Sequence, residues 1–163
     1  MEFFWITGTP KGRLATATRP RGGDWLIDDM RDAARRQVAC LVSMLTHQEQ
    51  VELDLLMEPS AAKDAGIAFL NVPVDDRGVP VRAAPFAEAV TDATDRLCAG
   101  TSVVVHCRMG VGRSSMFAAA CLVRLGIDAD AAWPLIAAVR GRPVPDVDTQ
   151  RDWLRASQKL MRD

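Results

Sequence analysis

The chain has 163 residues, 48% hydrophobic and 25% charged, which is the composition of a folded globular domain and not of a disordered segment. Twenty basic side chains meet 21 acidic ones for a net charge of −1, a balance that argues against the positive field of a nucleic-acid-binding protein. The longest apolar run, Met116 to Val123, is far short of a membrane span, and the N-terminus lacks a basic leader. Four cysteines without a Cys-x-x-Cys pair, and two distant histidines, His47 and His106, argue against a disulfide framework or a structural metal. The expectation is one soluble cytoplasmic domain over residues 1–163, with no cofactor and no membrane segment.

In chain order, Phe3–Ile6 and Leu14–Ala17 read as short strands around a turn at Gly8, Pro10 and Gly12. Asp24 is placed to cap a helix running to Gln37, with Trp25, Leu26, Met30, Ala33 and Ala34 on one face. Val38–Leu45 is almost continuously apolar, as in a strand buried on both faces. Thr46 and Glu49 have capping-box spacing at the head of a helix reaching Met57. A short helix, Pro59–Ala65, closes at Gly66, and the strand Ile67–Val72 leads into a polar loop, residues 73–80. A helix over Ala84–Ala99, a buried strand Thr101–His106, and helices Arg113–Leu125, Asp128–Arg140 and Asp148 onward complete the chain. Strands alternating with helices imply an α/β fold: one mostly parallel sheet with helices on both faces. Ligands in such sheets bind beyond the carboxyl ends of the strands, which directs attention to residues 106–113 and 73–80.

The segment from His106 to Ser115 carries the chemistry. Cys107 follows a buried strand, Gly110 and Gly112 lie inside the loop, and an apolar helix opens at Arg113. The backbone N–H groups of Arg108, Met109, Gly110, Val111, Gly112 and Arg113 can turn inward as an anion-binding nest, reinforced by the helix N-terminus. The two glycines permit positive φ and close backbone approach. Arg113 adds a planar fork able to hold two phosphate oxygens at once. The same positive field favours the nucleophilic thiolate form of a cysteine.

His106-Cys107-x-x-Gly110-x-x-Arg113-Ser114 resembles the signature loop of the cysteine-dependent protein tyrosine phosphatases. Length and motif position resemble the small dual-specificity branch, compact proteins similar to kinase-associated phosphatase. Asp24–Leu26, the Val-Ser-Met-Leu strand end with Glu49, Pro73–Pro80 and Asp148–Trp153 fall where that family has landmarks, so the likeness covers most of the chain from residue 20. It implies a phosphocysteine mechanism. Cys107 is the nucleophile, and Arg113 with the loop amides holds the phosphoryl oxygens. An aspartate on the 73–80 loop serves as acid and later as base. Asp76, directly before Arg77-Gly78, is the chosen acid, with Asp75 the alternative. His106 supports the loop, and Ser114 donates to the Cys107 sulfur. Gln150 resembles a glutamine before the final helix that positions water, the other reading being a surface residue of that helix. Ser115 stands where glycine is common. Cys40, Cys98 and Cys121 are expected to be structural, and His47 to lie on the surface.

The expected activity is a phosphatase acting on phosphotyrosine, with phosphoserine and phosphothreonine admitted by a shallow site. Its partner is a phosphorylated protein. The alternatives are a phosphoinositide or RNA-end phosphatase on the same loop, or a non-catalytic phosphate-reading module. Gly110-x-Gly112-x-x-Ser115 lacks the third glycine of a dinucleotide site.

Overall fold

The computed structural model describes residues 1–163. Five strands, β1 (Phe3–Ile6), β2 (Leu14–Ala17), β3 (Cys40–Ser43), β4 (Ala68–Asn71) and β5 (Val103–His106), form one sheet in the order β1-β2-β5-β3-β4. Only the β1–β2 pair is antiparallel. The period-two alternation of the strands sends side chains to two cores. Leu14, Cys40, Val42, Val103 and Val105 pack under four helices, α4 (Ala83–Cys98), α5 (Arg113–Arg124), α6 (Ala129–Arg140) and α7 (Asp148–Arg162). Ala15, Ala17, Leu41 and Val104 face the opposite layer, α1 (Leu26–Arg35) and α3 (Glu58–Asp64). The short α2 (His47–Glu52) follows β3 at the sheet's carboxyl end.

This is the expected α/β architecture, with local differences. Asp24 does not cap α1: it lies in a 3-10 turn, Gly23–Trp25, and makes no capping hydrogen bond. Gly22 and Gly23 press against the Leu53–Asp54 backbone, and Gly23 N–H donates to Asp54 O at 3.1 Å, which keeps the chain turning there. The same turn stops α2 at Glu52, because Asp54 takes φ 54°, a left-handed conformation no helix continues through. Trp25 therefore points outward, 58% exposed, while Leu26, Met30 and Ala33 are buried. Cys40 and Cys121 are core residues as expected, but Cys98 is exposed at the end of α4.

Every residue of α5 except its last is buried, so the helix that opens at Arg113 runs through the centre of the molecule. Its N-terminus, the β5 exit and the loops after β2, β3 and β4 meet at one end of the sheet. That end holds the site.

Candidate active site

Cys107 sits one residue past β5, 3% exposed, at the base of a cavity of about 130 Å3. Asp76, Arg77, Arg108, Met109, Val111, Gly112, Arg113 and Asp146 complete its wall. Gly110 N–H donates to the Cys107 sulfur at 3.3 Å, and Ser114 Oγ lies 3.4 Å from it. The loop thus aims one N–H at the sulfur, and the first turn of α5 places a hydroxyl beside it.

The glycines do different work. Gly110 has φ +69° and passes so close to β2 that a Cβ would stand 2.5 Å from Ala17 O. Gly112 has φ −86°, which any residue can adopt, so its expected left-handed conformation is not found. What excludes a side chain there is crowding by Asp146 and Gln150.

Arg113 is 1% exposed and its guanidinium is held from several sides. Nη1 donates to Glu49 Oε2 at 2.7 Å and Nη2 to Glu49 Oε1 at 2.9 Å, a bidentate pair. Nη1 also donates to Val74 O at 2.9 Å, and Nη2 to Asp76 Oδ1 at 3.0 Å. Burial works against the charge on Arg113, but the hydrogen bonds of Glu49 and the nearby negative charges hold its pKa above the ordinary value. Burial likewise disfavours ionised Glu49, and hydrogen bonds from Arg113 and Thr46 outweigh it and hold this carboxyl below its usual range. The capping box is present as the spacing implied, with Thr46 accepting from Glu49 N–H at 3.3 Å. The second task of Glu49, gripping Arg113, was not visible in that spacing.

Of the two aspartates after β4, Asp76 reaches the cavity and is 63% exposed on its side chain. Asp75 lines a separate groove of about 360 Å3 beside α4, and its carbonyl accepts from Gly78 N–H at 2.8 Å. The loop is pinned to the rest of the site by backbone contacts. Val74 N–H donates to Met44 O at 3.2 Å, and Gln150 Nε2 donates to Gly78 O at 2.9 Å. Gln150 is accordingly no surface residue: it is fully buried in the first turn of α7.

His106 is also fully buried, and the closest polar group to its ring is a side chain, not backbone. Nε2 lies 2.8 Å from Glu58 Oε1, itself 1% exposed at the start of α3, while Nδ1 is 3.4 Å from Cys107 O. Arg108 points away from the cavity floor, donating to Glu52 Oε2 at 3.0 Å. Met109 is 66% exposed on the rim, where its carbonyl accepts from Arg140 at 3.4 Å. Ser115 is buried, its Oγ unpartnered. His47 is exposed, as expected. Two residues here, Glu58 and Asp146, were missed from sequence, as was the second role of Glu49. Asp146 had one signal, its place four residues before Gln150.

A family model described as polymorphic toxin system, DSP-PTPase phosphatase (Tc-R-P) matches residues 15–127. Among solved structures, kinase associated phosphatase carrying a serine in place of its catalytic-site cysteine superposes with a TM-score of 0.87 at 19% identity, over 98% of this chain and 95% of that one. Tk-PTP in its active form gives 0.78 at 20% identity, over 96% of each chain. PTPMT1 in complex with PI(5)P gives 0.74 at 23% identity, over 93% of this chain and 92% of that one. A search of curated proteins finds no match.

Proposed function

The chain belongs to the DSP-PTPase phosphatase family, cysteine-dependent phosphatases, and from that premise we propose that it is a protein phosphatase acting through Cys107. The observation that carries this reading is the convergence on one small cavity of the Cys107 sulfur, the loop amides, the Arg113 fork and the Asp76 carboxylate. The Cys107 thiolate attacks phosphorus, forming a P–S bond as the ester P–O bond breaks. Asp76 gives its proton to the departing oxygen. Arg113 and the N–H groups from Arg108 to Arg113 hold the equatorial oxygens through the transfer. Water then forms a P–O bond to phosphorus as the P–S bond breaks, giving its proton to the Asp76 carboxylate left by the first step, and Ser114 eases the return of charge to sulfur. This cradle supplies from the protein the positive charge that Mg²⁺ supplies in other phosphoryl-transfer sites.

Arg113 is made ready for that work by Glu49, which fixes the plane of the guanidinium before substrate arrives. A dianionic phosphoryl group competes with Asp76 for Nη2, releasing Asp76 towards the leaving oxygen. His106 against Glu58, and Gln150 against Gly78, brace the loop and the acid segment from behind.

The charge of the cavity bears on substrate. Arg77, Arg108 and Arg113 line it together with Asp76 and Asp146, and Arg108 is already paired with Glu52. So little surplus positive charge suits a single phosphate on a peptide better than a headgroup carrying several. Phosphotyrosine is the first substrate of this reading, with phosphoserine and phosphothreonine next. A phosphoinositide is the rival, PI(5)P being the molecule bound in the PTPMT1 structure of similar fold. Phosphate release from matched phosphopeptides and from PI(5)P separates them. Higher kcat/KM on phosphotyrosine peptide supports the proposal, and higher kcat/KM on the lipid overturns it.

A further inference from the structure

Eight large apolar side chains are exposed in this chain, and five of them, Trp25, Ile27, Val51, Leu56 and Met57, lie on two short segments. Scattered apolar residues are ordinary on a surface, but such a concentration marks a place of contact. The fold brings the two segments together. Gly22 and Gly23 press on the Leu53–Asp54 backbone, and α1 packs beside α3. Between them runs a groove of about 330 Å3, lined by Leu26 and Ile27 of α1 and by Met57 at the head of α3.

Charge decides what fits there. Asp24, Asp54 and Asp64 line the same groove, and no lysine, arginine or histidine does. Three carboxylates around exposed Ile27 and Met57 repel an anionic lipid surface. They attract a segment that carries cationic and apolar side chains together, as a basic amphipathic helix does. The groove also opens close to the catalytic cavity. Glu52, at the end of α2, pairs with Arg108 of the cavity wall at 3.0 Å, and Asp54, two residues on, lines the groove. Two residues span at most ~7 Å of backbone. The cavity offers Arg113 and the loop amides to a phosphoryl anion, and the groove offers three aspartates to a cation. A substrate with both charges is held in one direction.

We propose that the groove between α1 and α3 is a docking site for a basic amphipathic segment of the protein substrate, separate from its phosphorylated residue. The site serves the protein-phosphatase reading, on which it rests. Docking raises the concentration of the phosphorylated residue at Cys107 and adds no group to the chemistry.

The test compares a phosphotyrosine peptide with the same peptide joined, at either end, to a helical segment of leucine and lysine. A flexible linker of about ten residues, spanning ~17 Å on average, connects the two parts. Glutamate in place of lysine gives the control. The leucine–lysine segment is expected to lower KM ~10-fold or more at one of the two attachments, with kcat unchanged. The glutamate control gives no gain. The gain is lost in Met57→Glu, in the double variant Asp24→Lys with Asp64→Lys, and in ~1 M salt, where charges are screened beyond ~3 Å. These positions are exposed and outside the cavity, so kcat/KM on p-nitrophenyl phosphate stays at the wild-type value in every variant. Equal KM with and without the leucine–lysine segment at both attachments overturns the docking site. So does a gain that survives both variants, or one that the glutamate control matches. Absence of p-nitrophenyl phosphate turnover in wild type overturns the Cys107 reading instead, and a failed docking site leaves that turnover intact.

Discussion

Glu49 holds both terminal nitrogens of Arg113, at 2.7 and 2.9 Å, inside a site where the arginine is 1% exposed. The pair joins α2 to the start of α5 and fixes the phosphate-binding fork. Truncating one partner leaves the other charged and buried. Glu49→Ala is therefore expected to lose about 3–5 kcal/mol of stability in urea denaturation. A loss below 1 kcal/mol would show that water replaces the carboxylate without cost. Arg113→Lys, which cannot make the paired bonds, should lose phosphate binding while folding better than Glu49→Ala.

The same pair sets a pH dependence. The Glu49 carboxyl titrates below its ordinary range when folded, so on acidification the unfolded chain takes up its proton first. Its contribution is fully present above the unfolded value of about 4.3, and drains away as pH falls through the folded one. Asp29, held low by hydrogen bonds from Arg21 against the opposing effect of burial, contributes in the same sense. Comparison with Glu49→Gln isolates the first group. The urea midpoint of wild type should fall more steeply in acid than that of the variant, and parallel declines would contradict the assignment.

The strands and buried helices were legible because their signals are local: apolar runs for β3 and β5, and capping-box spacing for α2. Cys107 and Arg113 were legible for the same reason, lying in one short loop. Partnerships across the chain were not. Glu49 meets Arg113 across 64 positions and Gln150 meets Gly78 across 72, and no spacing rule reaches that far. Asp24 and the end of α2 were misread because the Gly22–Gly23 contact with Leu53–Asp54 is tertiary. Gly112 was credited with left-handed geometry when its constraint is the approach of two side chains.

The adjacent aspartates separate in function as they do in space. Asp76→Asn is expected to lower kcat about 10²–10⁴-fold on an aryl phosphate, with Asp75→Asn near wild type. The reverse result would move the acid to the groove side of the loop.

Cysteine chemistry should be confined to two positions. Burial pushes the Cys40 thiol up to about 11 and raises Cys121 further, so both stay protonated and unreactive near neutral pH. Iodoacetate is expected to label Cys107 and the exposed Cys98 alone, and phosphate should protect Cys107 only. Peptide mapping that finds labelled Cys40 or Cys121 in folded protein would contradict this.

Gly110→Ala should abolish phosphate binding, since a Cβ there meets Ala17 O at 2.5 Å and φ is +69°. The conformational cost alone is about 1–3 kcal/mol. Calorimetry with inorganic phosphate reads it, and wild-type affinity would mean that the loop relaxes around the methyl group.

The most direct test of the account is p-nitrophenyl phosphate hydrolysis in the presence of EDTA, comparing wild type with Cys107→Ser. Wild type is expected to turn over, vanadate to block it, and the substitution to abolish it. Turnover that persists in Cys107→Ser would contradict it.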